Sequence, residues 1–341
     1  MTKMTRNKHL AKRALLALLC VSALLEIWGC SDDKSNPSGP SDGATSQWTL
    51  GGSVTGIARR FWVDGGTLYL LTSNGVFRSN DTARTWTQLV TRAQVNLAGG
   101  FEGGVVAQGS IIYAGSSDYA FFSSDGGISW RKIRSGLGAT NYVCESLYRS
   151  GNRVFYGSNV GGAFRATFGD TTWTTAFTTG GLHSVQAFFN HNDTLYAGHE
   201  IGMHRSFDDG ATWNLAPTTG LPTTDSRKVF AFTKRGSSLY IATNQGVYVS
   251  RNGGASYSAV NGLPTGELDD DVRALATAGN SVLVGMRYRG VWRSTDGVNF
   301  TDWSQGIPQQ NDNVADLAVM GNVVIMASSD PSPTIWIRRI P

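Results

Sequence analysis

The residues able to do chemistry in this chain are few, and they fall into loops rather than runs. Arg287-Tyr288-Arg289 interrupts two strand-like segments, and Arg59, Arg227 and Arg273 lie elsewhere. Guanidinium groups hold a carboxylate bidentately, so such arginines could form an anion clamp. Asp118-Tyr119 and His199-Glu200 occupy loops of the same kind. Cleavage of a glycosidic bond needs two carboxylates at a defined separation, and no such pair is marked here; Glu145 and Tyr288 are the residues on which any turnover would be tested. Asp269, Asp270 and Asp271 follow Glu267. Clustered carboxylates suit a hard cation such as calcium, or simply a solvated loop, and the spacing fits no EF-hand. The histidines show no zinc-ligand spacing. Cys144 sits in the apolar run Tyr142–Leu147, the setting of an inert buried thiol. No metal site and no cofactor is expected.

What must position these groups is an all-β body. The chain has 341 residues, 42 of them glycine, with 11% aromatic and 16% charged residues. Gly-rich turns between aromatic and β-branched runs are the composition of sheets, and no helical periodicity is sustained after residue 30. The formal charge of +4 comes from the first 29 residues. Without Lys3, Arg6, Lys8, Lys12, Arg13 and Glu26, basic and acidic residues are equal in number. A nucleic-acid partner is therefore not expected. With Cys20 and Cys30 in or next to the N-terminal segment, Cys144 has no partner and a disulfide framework is excluded.

Residues 1–13 are basic and residues 14–27 almost wholly apolar. This is the layout of a secretory signal, too short for a comfortable membrane span. Ile27-Trp28-Gly29-Cys30 resembles the lipobox of bacterial lipoproteins, which implies a signal peptide over 1–29 and lipidation of Cys30; an ordinary signal cut nearby is the alternative. Ser31–Ser46 is polar and rich in Ser, Pro and Gly, a composition that buries no core. As a flexible tether of that length it spans roughly 22 Å on average.

From residue 54 the chain repeats. Ser123-Ser-Asp125-Gly-Gly127-Ile-Ser-Trp130 and Ser206-Phe-Asp208-Asp-Gly210-Ala-Thr-Trp213 share S-x-D-x-G-x-x-W. Near matches carry Asp81 with Trp86, Asn252 with Tyr257, and Asp296 with Phe300, while Trp173 ends a degenerate copy. The six aromatics recur every 40 to 44 residues, the period of an array or propeller. Asp and Ser close tight turns through their own backbone, glycine supplies positive φ, and the aromatic buries a large area between sheets. These residues are therefore read as turn-formers, not catalysts. The motifs resemble the Asp-box (BNR) repeat of sialidases, photosystem II assembly factors and sortilin-type propellers, over nearly all of residues 47–341. That resemblance implies a β-propeller, and it serves enzymes and binders alike.

Each repeat reads as four strands, with sets starting near 55, 100, 142, 184, 228, 272 and 314. The last set has three strands, and Gln47–Leu50 is an orphan strand at the other end. Pairing the two makes a seven-bladed β-propeller over 47–341 whose N-terminal strand closes the last blade, leaving no open edge. In a propeller the first strand of each blade lines the channel, and the Asp-box turns lie on the face opposite the inter-blade connections. Aligning first strands stacks Arg59, Glu102, Glu145, Gln186, Phe230, Arg273 and Ala315 at one level of the channel mouth. That face is expected to bind through Asp118, Tyr119, Glu145, His199, Glu200, Asp270, Asp271, Arg273, Arg287, Tyr288 and Arg289. The alternative is that the ring arginines and glutamates merely pair with one another.

Two functions fit this frame. The first is a lipid-anchored, monomeric binding or scaffolding module for a protein or glycan at the cell envelope, with the membrane met only through the lipid. The second is a glycoside hydrolase of sialidase type. The sialidase signature Arg-Ile-Pro occurs here as Arg339-Ile340-Pro341, in the third strand of the seventh set rather than near the N-terminus, so the binder is preferred.

Overall fold

In the computed structural model the described residues are 47–138, 142–180, 183–222, 228–264, 272–330 and 333–340. They form seven four-stranded antiparallel sheets, and among them there is no α-helix. Blade one is Ala58–Asp64, Thr67–Thr72, Gly75–Ser79 and Thr87–Thr91, in that spatial order. Five further blades repeat this meander. Blade seven is Val314–Met320, Val323–Ser328 and Ile335–Arg339, completed by Thr49–Leu50 from the other end of the chain.

The closure is held by burial and hydrogen bonds together. Thr49 pairs with Ile337 and Leu50 with Trp336. Trp48 is 3% exposed, stands edge-on to Trp303 at 5.1 Å, and its indole N–H donates to the Trp303 carbonyl at 2.7 Å. The Arg338 guanidinium donates to the same carbonyl at 2.6 Å and lies over the Trp303 ring. Trp48 thus supplies the seventh aromatic of the set that Trp86, Trp130, Trp173, Trp213, Tyr257 and Phe300 supply to the other blades.

Neighbouring blades are stitched at these aromatics. The backbone N–H of Trp48, Trp173, Tyr257 and Phe300 each donates to a carbonyl of the preceding blade, Gln305, Ser135, Thr219 and Asn261 respectively, at 2.8–2.9 Å. The next residue in each preceding blade is a glycine at positive φ: Gly306, Gly136, Gly220 and Gly262. A Cβ on Gly220 would lie 2.0 Å from the Tyr257 carbonyl oxygen, so the close approach requires glycine. The second strands add another stitch. Tyr113, Tyr196 and Tyr240 donate their hydroxyls to Asp170, Gly253 and Gly297, in the turns of the next blade.

Candidate functional site

The Ser–Asp turns tie their carboxylates into hydrogen bonds within the turn. The Ser79 hydroxyl donates to Asp81 at 2.8 Å, and the Thr85 N–H and hydroxyl donate to the same carboxylate at 2.9 and 2.6 Å. Asp208 receives Ser206 and Thr212 in the same way, as does Asp125 with Ser123 and Ser129. Asn252 keeps the geometry with Ser250 and Ser256, and Asp296 with Ser294 and Asn299. Hydrogen bonds from their own turns hold Asp81, Asp125 and Asp208 down at about 2. The residue before the aromatic (Thr85, Ser129, Thr212, Ser256) is therefore part of the motif, a signal visible in the sequence and passed over there.

At the other end of the blades, the innermost strands carry a regular irregularity. Each of the seven shifts register once; in six the shift falls at one residue, Arg59, Glu145, Gln186, Phe230, Arg273 or Ala315, and in blade two it spans Glu102 to Gly104. A β-bulge leaves one residue unpaired and re-aims its side chain. All seven bulge residues line a single cavity of about 520 Å³ at the channel mouth. The ring that sequence alignment places at one level is thus a ring of bulges.

Charge around the ring is lopsided. Arg59 Nη2 meets Glu102 Oε1 at 2.6 Å. Glu145, one blade further, makes no hydrogen bond or ion pair among the described residues, and burial with the nearby Glu102 and Glu200 charges pushes its carboxyl up. Burial also raises Glu102, against the pull of Arg59. Across the channel Arg273 lies over the Phe230 ring, and Arg287 over Tyr288 at 5.0 Å. Tyr288 is 48% exposed, lines the same cavity, and sits at φ 58°. A bulky residue there carries strain of roughly 1–2 kcal/mol, a feature that clusters at functional sites.

Below the ring the channel becomes apolar. Two residues beyond five of the bulges stand Phe61, Leu147, Phe188, Phe232 and Leu275, all lining a second cavity of about 230 Å³. The two cavities share Arg60, Gly103, Gln186 and Phe230. Between them Arg60 faces Asp316 at 3.7 Å, and Asp316 accepts the Phe61 N–H at 2.8 Å. The apolar layer and this ion pair were missed in the sequence, although the fixed two-residue offset is legible there.

The other expected face residues are placed differently. Tyr119 is 3% exposed and packs in a core cluster rather than facing solvent, with the Lys132 ammonium over its ring. His199 is 1% exposed; its Nε2 lies 3.0 Å from Nδ1 of His204, so it is an interior group. Asp118 pairs with Lys132, and Glu200 with His183 and Lys228. Cys144 is fully buried, and burial pushes its thiol up. Cys30, Arg227, Glu267, Asp269, Asp270 and Asp271 lie outside the described residues.

The fold is shared with proteins of several kinds. The extracellular domain of a one-component system from B. thetaiotaomicron superposes with a TM-score of 0.66 at 14% identity over 86% of this chain, which spans 40% of that protein. YCF48 bound to D1 peptide gives 0.63 at 14% identity, covering 86% of this chain and 97% of that one. An ancestral GH74 enzyme gives 0.62 at 15% identity, covering 86% and 48%. Likeness at these identities is one of fold, here the seven-bladed β-propeller, which occurs in enzymes and binding proteins alike. No protein-family model matches the sequence, and no curated protein matches it.

Proposed function

We propose that this is an exported, lipid-anchored propeller that binds a protein or glycan partner at the cell envelope through the face on which the channel opens. One observation carries the reading. Seven bulges turn one side chain per blade toward a single cavity of mixed charge, and a strained, half-exposed tyrosine stands at its lip. A purely structural disk has no need of either. In this reading residues 1–29 are the signal, Cys30 the lipid anchor, 31–46 the tether and 47–341 a monomeric propeller of the Asp-box kind. The similar folds include an extracellular domain and a protein solved with a peptide bound, which is the setting proposed. Arg273, Arg287, Tyr288 and Arg289 contribute the basic arc of the site, and Glu145 the acidic one. Asp118 and Glu200 would add charge beyond the ring; Asp270 and Asp271, outside the described residues, are proposed to belong to the same face.

The test is cross-linking of the purified propeller in envelope extract. Capture should be lost on Arg273→Glu with Arg289→Glu and kept on Arg251→Glu, in a turn of the opposite face. Equal capture by all three proteins removes the site. Anchoring is checked separately, since Cys30→Ala should release the protein into the soluble fraction.

A second reading, glycoside hydrolysis, has one observation in its favour. Glu102 and Glu145, on adjacent blades, are both raised by burial, and the Glu102 charge adds to the rise at Glu145; a hydrolytic pair needs two carboxyls of this kind. Turnover of xyloglucan or sialosides that disappears on Glu145→Gln would establish it in place of the binder.

A further inference from the structure

The side chains around the channel mouth are of two kinds, those committed to other protein groups and those that are not. The arginines of the wall are committed. Arg59 bonds Glu102 at 2.6 Å, and Arg60 donates to the Arg273 carbonyl at 3.2 Å and faces Asp316. Arg273 and Arg287 stand over Phe230 and Tyr288 and hold further interactions of their own. Among the described residues, the Glu145, Asn313 and Ser329 side chains line the cavity and make no hydrogen bond. Gln186 uses its amide N–H on Ser184 at 2.6 Å and keeps its carbonyl.

These groups form two clusters. Glu145 and Gln186 are bulge residues of the adjacent blades three and four. On the other side of the mouth, Tyr288, Asn313 and Ser329 belong to blades six and seven. Two backbone bonds tie their segments together: the Gly290 N–H donates to the Asp312 carbonyl at 2.9 Å, and the Ser329 N–H to the Asn313 carbonyl at 2.7 Å. Arg287 fixes the tyrosine, over its ring at 5.0 Å and donating to its hydroxyl at 3.4 Å. The residue is still 48% exposed, so a held aromatic plate stands beside a vacant amide and hydroxyl.

We propose that the channel mouth binds a neutral oligosaccharide, one sugar ring lying on Tyr288 with its hydroxyls on Asn313 and Ser329, and a neighbouring sugar reaching Glu145 and Gln186. This rests on the reading of the channel mouth as the binding face and names its ligand class. A pyranose has a flat face of C–H groups and a rim of hydroxyls. The C–H face suits the negative face of an aromatic ring. The rim suits an amide and a hydroxyl, which both donate and accept, and a carboxylate, which accepts several hydroxyls. Sugar hydroxyls also reproduce the hydrogen bonds of the water they displace. Charge disfavours other ligands. An anion would enter beside Glu102 and Glu145 with the arginines of the wall already engaged, and a cation would enter among Arg59, Arg60, Arg273 and Arg287. A peptide supplies amides, but no flat C–H face for the plate.

Calorimetry on the purified propeller tests this with cellohexaose, maltohexaose and mannohexaose, beside a galacturonic acid hexamer, a glucosamine hexamer and a capped glycine–alanine hexapeptide. At least one neutral hexaose should bind saturably, and the charged chains and the peptide at least tenfold more weakly. Tyr288→Ala should weaken that hexaose about tenfold or more, and Tyr288→Phe should restore it to within about threefold of the parent. Glu145→Ala should also weaken it, with unchanged melting temperatures showing that the variants fold. Absence of heat with all three neutral chains overturns the assignment. So does binding indifferent to Tyr288→Ala, or a charged chain or the peptide binding as tightly as the hexaose. If envelope capture depends on Arg273 and Arg289 while no hexaose binds, the ligand class is wrong and the face stands. If a hexaose binds through Tyr288 while capture ignores the arginines, the envelope-partner reading fails and the sugar site remains.

Discussion

Arg59 and Glu102, bulge residues of adjacent blades, meet at 2.6 Å across the channel mouth, and this one contact governs the next carboxylate round the ring. The Arg59 charge draws down both Glu102 and Glu145, while burial pushes both up and the Glu102 and Glu200 charges push Glu145 further. Arg59→Met removes the whole downward pull at Glu102 and part of it at Glu145, where Arg60 also acts. Both carboxyls should then titrate higher than in the parent, Glu102 by more because it also loses its hydrogen bond. Carboxyl-selective NMR titration reads this directly. An unmoved Glu102 would mean that the pair does not persist in solution.

Closure of the ring through Trp48 predicts a large loss on its removal. Trp48→Ala empties a buried indole site beside Trp303 and abandons a buried N–H bond. Large-to-small changes of this type cost about 3–5 kcal/mol. Removing residues 47–50 should do as much and also expose the edge of Ile335–Arg339, an invitation to aggregation. Urea unfolding followed by tryptophan fluorescence measures the first effect, and light scattering the second. A loss below about 1 kcal/mol would show that the other six blades hold the ring shut alone.

The blades, the closing strand and the level of the ring were legible in the sequence because each depends on a local pattern: alternation, turn residues, and a repeated aromatic. Contacts between blades were less so. Tyr119 and Tyr288 stand in the same kind of loop and share a left-handed backbone, yet Lys132 covers one and the other projects beside Arg287. Nothing in either loop's own residues distinguishes them. The pairing of His199 with His204 depends on the diagonal register of two strands, and that of Arg60 with Asp316 on ring closure. Both relationships are tertiary, beyond the reach of residue spacing.

Gly220 and Gly126 offer a paired test of the inter-blade stitch. Both sit at positive φ, so alanine at either costs the left-handed penalty of roughly 1–2 kcal/mol. Only at Gly220 would the new Cβ also meet a backbone carbonyl, at 2.0 Å, whereas nothing lies within 4 Å at Gly126. Gly220→Ala should therefore destabilise at least twice as much as Gly126→Ala in denaturant melts. Equal costs would mean that the blades slide apart freely and that the close approach is not under tension.

The buried His199–His204 pair makes stability pH-dependent in a defined window. His199 is lowered to about 4, first by burial and then by the nearby His204 and His183 charges, and burial lowers His204 as well. Glu200 and Lys228 complete the charged surroundings. A histidine depressed in the folded state is protonated first in the unfolded chain. Its contribution is thus fully favourable above about 6.5, erodes as pH falls, and levels off below about 4. For a shift of this size the loss is on the order of 3 kcal/mol. His199→Gln keeps a hydrogen-bonding side chain without the titration. Its melting temperature should therefore fall less steeply than the parent's between pH 6.5 and 4, with the residual slope due to His204. Parallel curves for the two proteins across that window would show that the interior pair takes up its proton without penalty.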